Sequence, residues 1–365
     1  MKLLLLGGSN SVMSPGYVDT MVAALKTADD QFTLDNRAVG ANNCVHGLQL
    51  VRGIENLASY DAVLIEYVVN DNAMGQDQQW ETWQSAYEAI IRYILAKTAG
   101  KTKVINIILA RRDEKTYPCH ERIRAAVVEL SKYYQQYGSV VDYIDVNEWL
   151  RSQIKDANTF KRLYMDSSHY SRPLASGMLG AYISAHVLKI LIADRHSVDD
   201  GWQLPTPKFT GFFDDVSVMS MVDCVTHFPQ VPFVNSRFQM NSIKLEEGQE
   251  LQMTLPGGLI SLTYACTASS GAICIREENE IPFVIDTSHV WTQEKEGRFM
   301  IKDFSLRWRT WRKSAQRPRK ITLASLSAQA RADWKGRVRG QYNIAPPPPS
   351  DQPLAVYIAV LMCAG

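Results

Sequence analysis

Four short stretches of this 365-residue chain combine side chains whose types and spacing could perform nucleophilic chemistry. The first is Gly7-Gly8-Ser9-Asn10-Ser11, directly after the apolar run Leu3–Leu6. A glycine-rich turn after a strand can cradle a phosphate, but the spacing here is neither G-x-G-x-x-G nor G-x-x-x-x-G-K. The same residues also suit a sharp strand-to-helix turn presenting Ser9 as a nucleophile, or a plain tight turn. The second stretch is Asp166-Ser167-Ser168-His169. A nucleophilic serine needs a base for its proton, and that base needs a group to fix its tautomer. An aspartate three residues before a histidine can receive the Nδ1 proton while Nε2 faces the serine. His46, His120, His186, His196, His227 and His289 have no comparable partner and read as structural or surface residues. The third and fourth stretches are Gly40-Ala41-Asn42-Asn43 and Asn70-Asp71. A glycine N–H and an asparagine amide are donors suited to a developing oxyanion, although turn formation alone would account for either stretch.

These residues need a frame that brings them to one place. Short apolar runs at Leu3–Leu6, Ala62–Ile65, Val104–Leu109 and Val140–Ile144 read as buried strands. Between them lie segments with helical spacing. The clearest sets Trp80, Trp83, Tyr87, Ile90, Ile91 and Ile94 on one face; others run over about 121–137 and from Ser171 to about Arg195. Strands alternating with helices predict a three-layer α/β domain with a mainly parallel sheet. In such sheets the ligand crevice lies beyond the carboxyl ends of the strands, where Ser9, Gly40 and Asn70 are expected to meet.

In this order, Ser9, Gly40, Asn70 and the Asp166/His169 pair resemble the four blocks of the SGNH (GDSL-type) serine hydrolase superfamily, over roughly residues 1–197. The resemblance implies a flavodoxin-like fold with a Ser-His-Asp triad. Ser9 would be the nucleophile, His169 the base and Asp166 its orienter. The N–H groups of Ser9 and Gly40 and the amide of Asn70 would form the oxyanion hole. No metal or diffusible cofactor is implied. Two positions depart from the family: Gly8 stands where its first block usually has aspartate, and Val68 where its third usually has glycine. Asn10, Asn43, Val68 and Asp71 border these blocks and are candidate substrate-binding residues.

Residues 198–208, with Gly201, Pro205 and Pro207, read as a linker. Beyond them the helical period disappears, and glycine- and serine-rich turns punctuate short runs such as Leu259–Cys266 and Ala272–Ile275. This pattern predicts an all-β, jelly-roll-like sandwich over 209–365. The near-neutral total charge of +1 conceals an asymmetry of −2 over residues 1–200, −6 over 201–300 and +9 over 301–365. Within the basic segment 307–339, Trp308, Arg309, Trp311 and Arg312 could stack on and pair with an anionic glycan, or form an ordinary solvated strand face. Nucleic acid is disfavoured, since the first half is slightly acidic and no nucleic-acid motif occurs.

With 46% hydrophobic and 21% charged residues, the composition excludes a disordered chain and a disulfide-dense miniprotein. The six cysteines show no C-x-x-C pair. The first apolar run is too short for a secretory signal, and no run of about 18 uninterrupted apolar residues suggests a membrane span. A cytoplasmic setting is the simplest expectation. The reading favours an esterase removing short O-acyl groups, most simply acetyl, from a small-molecule or polysaccharide carbohydrate. An O-acyltransferase with the same triad and an inactive glycan-binding protein are the alternatives.

Overall fold

Leu3, Leu4, Leu5 and Leu6 are all fully buried, as a strand covered on both faces requires. The computed structural model describes residues 1–113, 119–138, 140–193, 202–235, 238–295, 297–305, 317–334, 337–339 and 354–365. The chain divides into two compact units, the first running from Met1 to Asp214 and the second beginning at Asp215.

The first unit is built on a parallel sheet of β1 (Lys2–Gly7), β2 (Thr33–Asn36), β3 (Ala62–Glu66), β4 (Lys103–Ile108) and β5 (Val141–Asp145). Their order, β2-β1-β3-β4-β5, is the doubly wound arrangement expected of the sequence. The chain steps from β1 outward to β2, then crosses back to β3. The carboxyl ends of β1 and β3 therefore flank the point where the winding reverses. Helices α1 (Ser9–Val12), α2 (Tyr17–Ala28), α3 (Cys44–Arg52), α4 (Asp77–Thr98), α5 (Cys119–Gln135), α6 (Val146–Gln153), α7 (Ala157–Arg162) and α8 (Leu174–Ala193) complete the unit.

The long periodic segment became α4, with Trp83, Tyr87, Ile90, Ile91 and Ile94 fully buried. It stops at Ala99 and Gly100, both with positive φ, where the Ala99 N–H still reaches the Leu95 carbonyl. Helix α8 is long and apolar enough, by length and composition, to cross a bilayer. Here its Leu179, Ile183 and Val187 join the core shared with Met21 and Leu25 of α2. Gly180 makes the close approach possible: a Cβ there would lie 2.4 Å from the Tyr17 carbonyl oxygen.

The stretch expected to be a linker is described from Trp202, and it is packed onto the first unit. Glu88 of α4, 1% exposed, accepts the Lys208 and Phe209 N–H groups at 2.5 and 2.8 Å. Arg92, one turn on, donates to the Pro205 carbonyl and holds both Asp214 carboxylate oxygens at 2.9 and 2.7 Å. A charged pair buried in α4 needs such partners, so these residues strap onto the helix. The first unit accordingly ends at Asp214 and not at 197.

The second unit is a sandwich of two sheets. One contains β6 (Val216–Ser220), β7 (Gln230–Val234), β8 (Gln239–Glu246), β10 (Leu259–Cys266), β13 (Met300–Ser305) and β16 (Ala355–Ala364). The other contains β9 (Glu250–Leu255), β11 (Ala272–Glu277), β12 (Phe283–Asp286), β14 (Arg319–Leu326) and β15 (Arg337–Arg339). Pairing is antiparallel except between β12 and β15. Ile243, Leu262, Tyr264, Ile358 and Leu361 from the first sheet and Leu251, Ile273, Ile285 and Leu323 from the second share one core.

Candidate active site

Ser9 opens α1 immediately after β1, so it stands at the carboxyl edge of the sheet beside the reversal of strand order. Its Oγ is 2.7 Å from His169 Nε2. On the far side of the ring, His169 Nδ1 is 2.6 Å from Asp166 Oδ2. The other carboxylate oxygen, Oδ1, accepts the Ser168 and His169 N–H groups, each at 2.8 Å. Burial opposes ionisation of Asp166, but these two N–H groups and the imidazole outweigh it and hold the carboxyl below its usual range. A carboxylate fixed in this way donates nothing; it can only accept Nδ1–H, which leaves Nε2 free to take the Ser9 proton.

The loop bearing Asp166 and His169 is pinned from below. Tyr164 and Tyr170 pair as an isolated bridge on either side of it, with their rings stacked at 4.6 Å. The Tyr170 hydroxyl accepts from the Ala110 N–H and donates to the Ala110 carbonyl, each at 2.9 Å, which ties the loop to the end of β4. Arg112 N–H adds a bond to the Ser167 carbonyl at 3.2 Å.

Both candidate oxyanion donors lie beside Ser9. After β2 the chain continues along β1, through Arg37 N–H to Leu5 and Val39 N–H to Gly7, and delivers Gly40 to Ser9. A Cβ built on Gly40 would be 3.7 Å from Ser9 Cβ. Asn70 begins a short 3-10 turn after β3, and its amide lies over the Gly8 backbone. A Cβ on Gly8 would come within 2.7 Å of all three atoms of that amide group. At position 8 a side chain would therefore have to displace the Asn70 amide from this place.

The residues expected to bind substrate are placed differently. Asp71 is fully buried and accepts the Cys44 N–H and the Trp83 indole N–H, each at 2.9 Å, locking the Asn70 turn to α3 and α4. Asn43 caps α3 by accepting the Val45 N–H. Val68 is buried among the core residues of the β3 loop. Asn10, 4% exposed, donates to the Ser168 carbonyl. All four side chains are buried, and those of Asp71, Asn43 and Asn10 make hydrogen bonds that hold the loops around Ser9. Trp308, Arg309, Trp311 and Arg312 lie outside the described residues.

Sequence reasoning missed Glu66, the last residue of β3. It is fully buried under the Ser9 turn, where it accepts the Ser11 hydroxyl at 2.8 Å and the Gly8 N–H at 3.3 Å. Burial raises its carboxyl to about 8. The signal available was a lone acidic residue closing an otherwise apolar strand.

No protein-family model matches this chain, and no curated protein does. Among solved structures, a two-domain esterase (CEX) active on acetylated mannans, co-crystallized with mannopentaose, aligns over 100% of this chain and 90% of its own. The TM-score is 0.63 and the identity 14%. This chain has the fold of a two-domain esterase. A second structure of the mannan esterase gives a TM-score of 0.62 at 13% identity, covering 100% of this chain and 91% of that one. The acetyl xylan esterase AlAXEase is 21% identical, with a TM-score of 0.43 over 51% of this chain and 100% of its own.

Proposed function

We propose that this two-domain esterase fold houses a serine esterase that removes short O-acyl groups, acetyl foremost, from a carbohydrate. The observation that carries the reading is the continuous line from Ser9 Oγ through His169 to Asp166, with contacts of 2.7 and 2.6 Å. Ser9 attacks the ester carbonyl while Nε2 takes its proton. The new oxyanion is held by the Ser9 and Gly40 N–H groups and the Asn70 amide, each such donor contributing about 2.7–4 kcal/mol to the transition state. Asp166 stabilises the imidazolium and keeps the ring in place. The imidazolium then protonates the leaving sugar oxygen, leaving an acetyl-Ser9 intermediate. Water, deprotonated by the same nitrogen, attacks that ester and releases acetate.

The carbohydrate substrate is supported by the mannan-active neighbour that shares both units of the fold. The test is release of acetate from acetylated manno-oligosaccharides and of p-nitrophenol from p-nitrophenyl acetate. Wild type should release both, and Ser9→Ala and His169→Ala neither. Equal inertness of the wild type and Ser9→Ala toward short acyl esters would refute the enzyme reading. Hydrolysis of the nitrophenyl ester without any acetylated glycan would keep the triad and remove the substrate.

A further inference from the structure

Asn10 follows the nucleophile in α1, yet its side chain points away from solvent. Its Nδ2 donates at 3.0 Å to the carbonyl of Ser168, the residue before His169. The two partners are 158 residues apart in sequence. The other ties on the base loop lead elsewhere: Tyr170 and Arg112 join it to the end of β4, and the Arg172 guanidinium reaches the Ser14 carbonyl beyond α1. Ser168 N–H is held by Asp166 Oδ1. The same carboxylate oxygen accepts the His169 N–H at 2.8 Å, so the Ser168–His169 peptide is fixed on both edges, at its carbonyl by Asn10 of α1 and at its N–H by Asp166.

We propose that Asn10 is a positioning residue that sets the separation between Ser9 and His169, acting through the Ser168 carbonyl and not through substrate. The inference rests on the triad reading given above. Helix α1 is only four residues long, and the base loop approaches it from another part of the chain. Without the amide, the 2.7 Å contact between Oγ and Nε2 would depend on the loop's remaining ties to β4 and Ser14. An error of about 1 Å in such a contact costs on the order of 10²-fold in rate.

The experiment compares the full-length wild type with Asn10→Leu, which nearly preserves the side-chain volume but cannot donate, and with Asn10→Ala. Two quantities are read: the rate at which a fluorophosphonate labels Ser9, followed by mass spectrometry, and kcat and KM for p-nitrophenyl acetate. We expect both variants to lose about 10- to 100-fold in labelling rate and in kcat, with KM within about twofold of wild type. Circular dichroism and the unfolding midpoint identify whichever variant keeps its fold, and that variant decides. Labelling at the wild-type rate overturns the inference, as does a raised KM with kcat unchanged, which would return Asn10 to substrate binding. A wild type that fluorophosphonate does not label at Ser9 overturns the triad reading and this inference with it. Normal labelling in wild type and variants alike removes only the inference.

Discussion

The two units of this chain use their polar residues for different ends. In the first, polar groups cluster at one sheet edge and converge on the Ser9 hydroxyl: Ser9, His169 and Asp166 in line, Asn70 over Gly8, Asn10 behind them. In the sandwich, described charged residues pair with one another at the surface of the second sheet. Arg331 grips both oxygens of Asp286 at 2.5 and 2.7 Å, Arg319 meets Glu280 at 3.2 Å, and Arg276 meets Glu250. Some of the acidic surplus of residues 201–300 is thus neutralised by the basic surplus that follows it. The first unit gathers its polar groups at one point, and on the proposed function that point is reactive; the second balances charge. Substitutions in the first should therefore change rates before stability, and in the second stability before rates.

The sharpest test of this division is the triad. Ser9→Ala or His169→Ala should lower kcat for p-nitrophenyl acetate by about 10⁴-fold or more. The unfolding midpoint should stay within a few degrees of wild type, as followed by calorimetry. Next come the oxyanion donors. Asn70→Ala should cost about 10²–10³ in kcat with little change in KM. Gly8→Ala should approach that loss without touching the amide itself, since the new methyl group must displace Asn70. If Gly8→Ala were fully active, the Asn70 amide would not be the donor.

Glu66 tests where the division blurs, because it lies under the site yet bears on stability. With its carboxyl raised from 4.5 to about 8, the folded chain keeps a proton that the unfolded chain releases. Its contribution is complete at low pH and is lost as pH rises to about 8. His46, lowered from 6.5 to about 4 by burial, runs the other way and makes the fold weaker as pH falls through that range. The Glu66 effect is therefore cleanest between about pH 6.5 and 8. There, Glu66→Gln should flatten the fall in stability measured by urea titration, a difference of a few kcal/mol at most. The smallest effect is expected in the sandwich. Arg331→Ala should lower stability by about 1–3 kcal/mol and leave kcat/KM for the nitrophenyl ester within about twofold. A tenfold loss of activity there would break the comparison.

The blocks around Ser9 and His169 were legible because each is a short local pattern. Leu3–Leu6 announces β1 and so places Ser9; Asp166 and His169 share one turn. Strand β2 had no comparable signal: Thr33-Leu34-Asp35-Asn36 is an edge strand with no fully buried residue, so its hydrophobic content is low. Asn10, Asp71 and Asn43 lie beside Ser9 and Asn70, where their sequence positions suggest, but their side chains are bonded to structural partners. Sequence spacing shows proximity, whereas their task depends on partners such as Ser168, Trp83 and the first turn of α3. Glu66 and Tyr170 were missed for the same reason, since each acts through a contact made only once the sheet is assembled. Residues 198–208 read as a linker, and 209–214 as the start of the sandwich, because prolines mask the docking of 202–214, and the buried charges it satisfies sit more than 110 residues earlier.

That strap decides how the protein can be taken apart. A fragment ending at Ser197, where the helical pattern gives out, would expose Arg92 and Glu88 of α4 to whatever fills the groove left by Pro205, Lys208, Phe209 and Asp214. Such a fragment should express poorly and precipitate for a reason unrelated to its active site. One cut after Asp214 keeps the groove filled, and marks the seam along which this module could be grafted onto another partner domain.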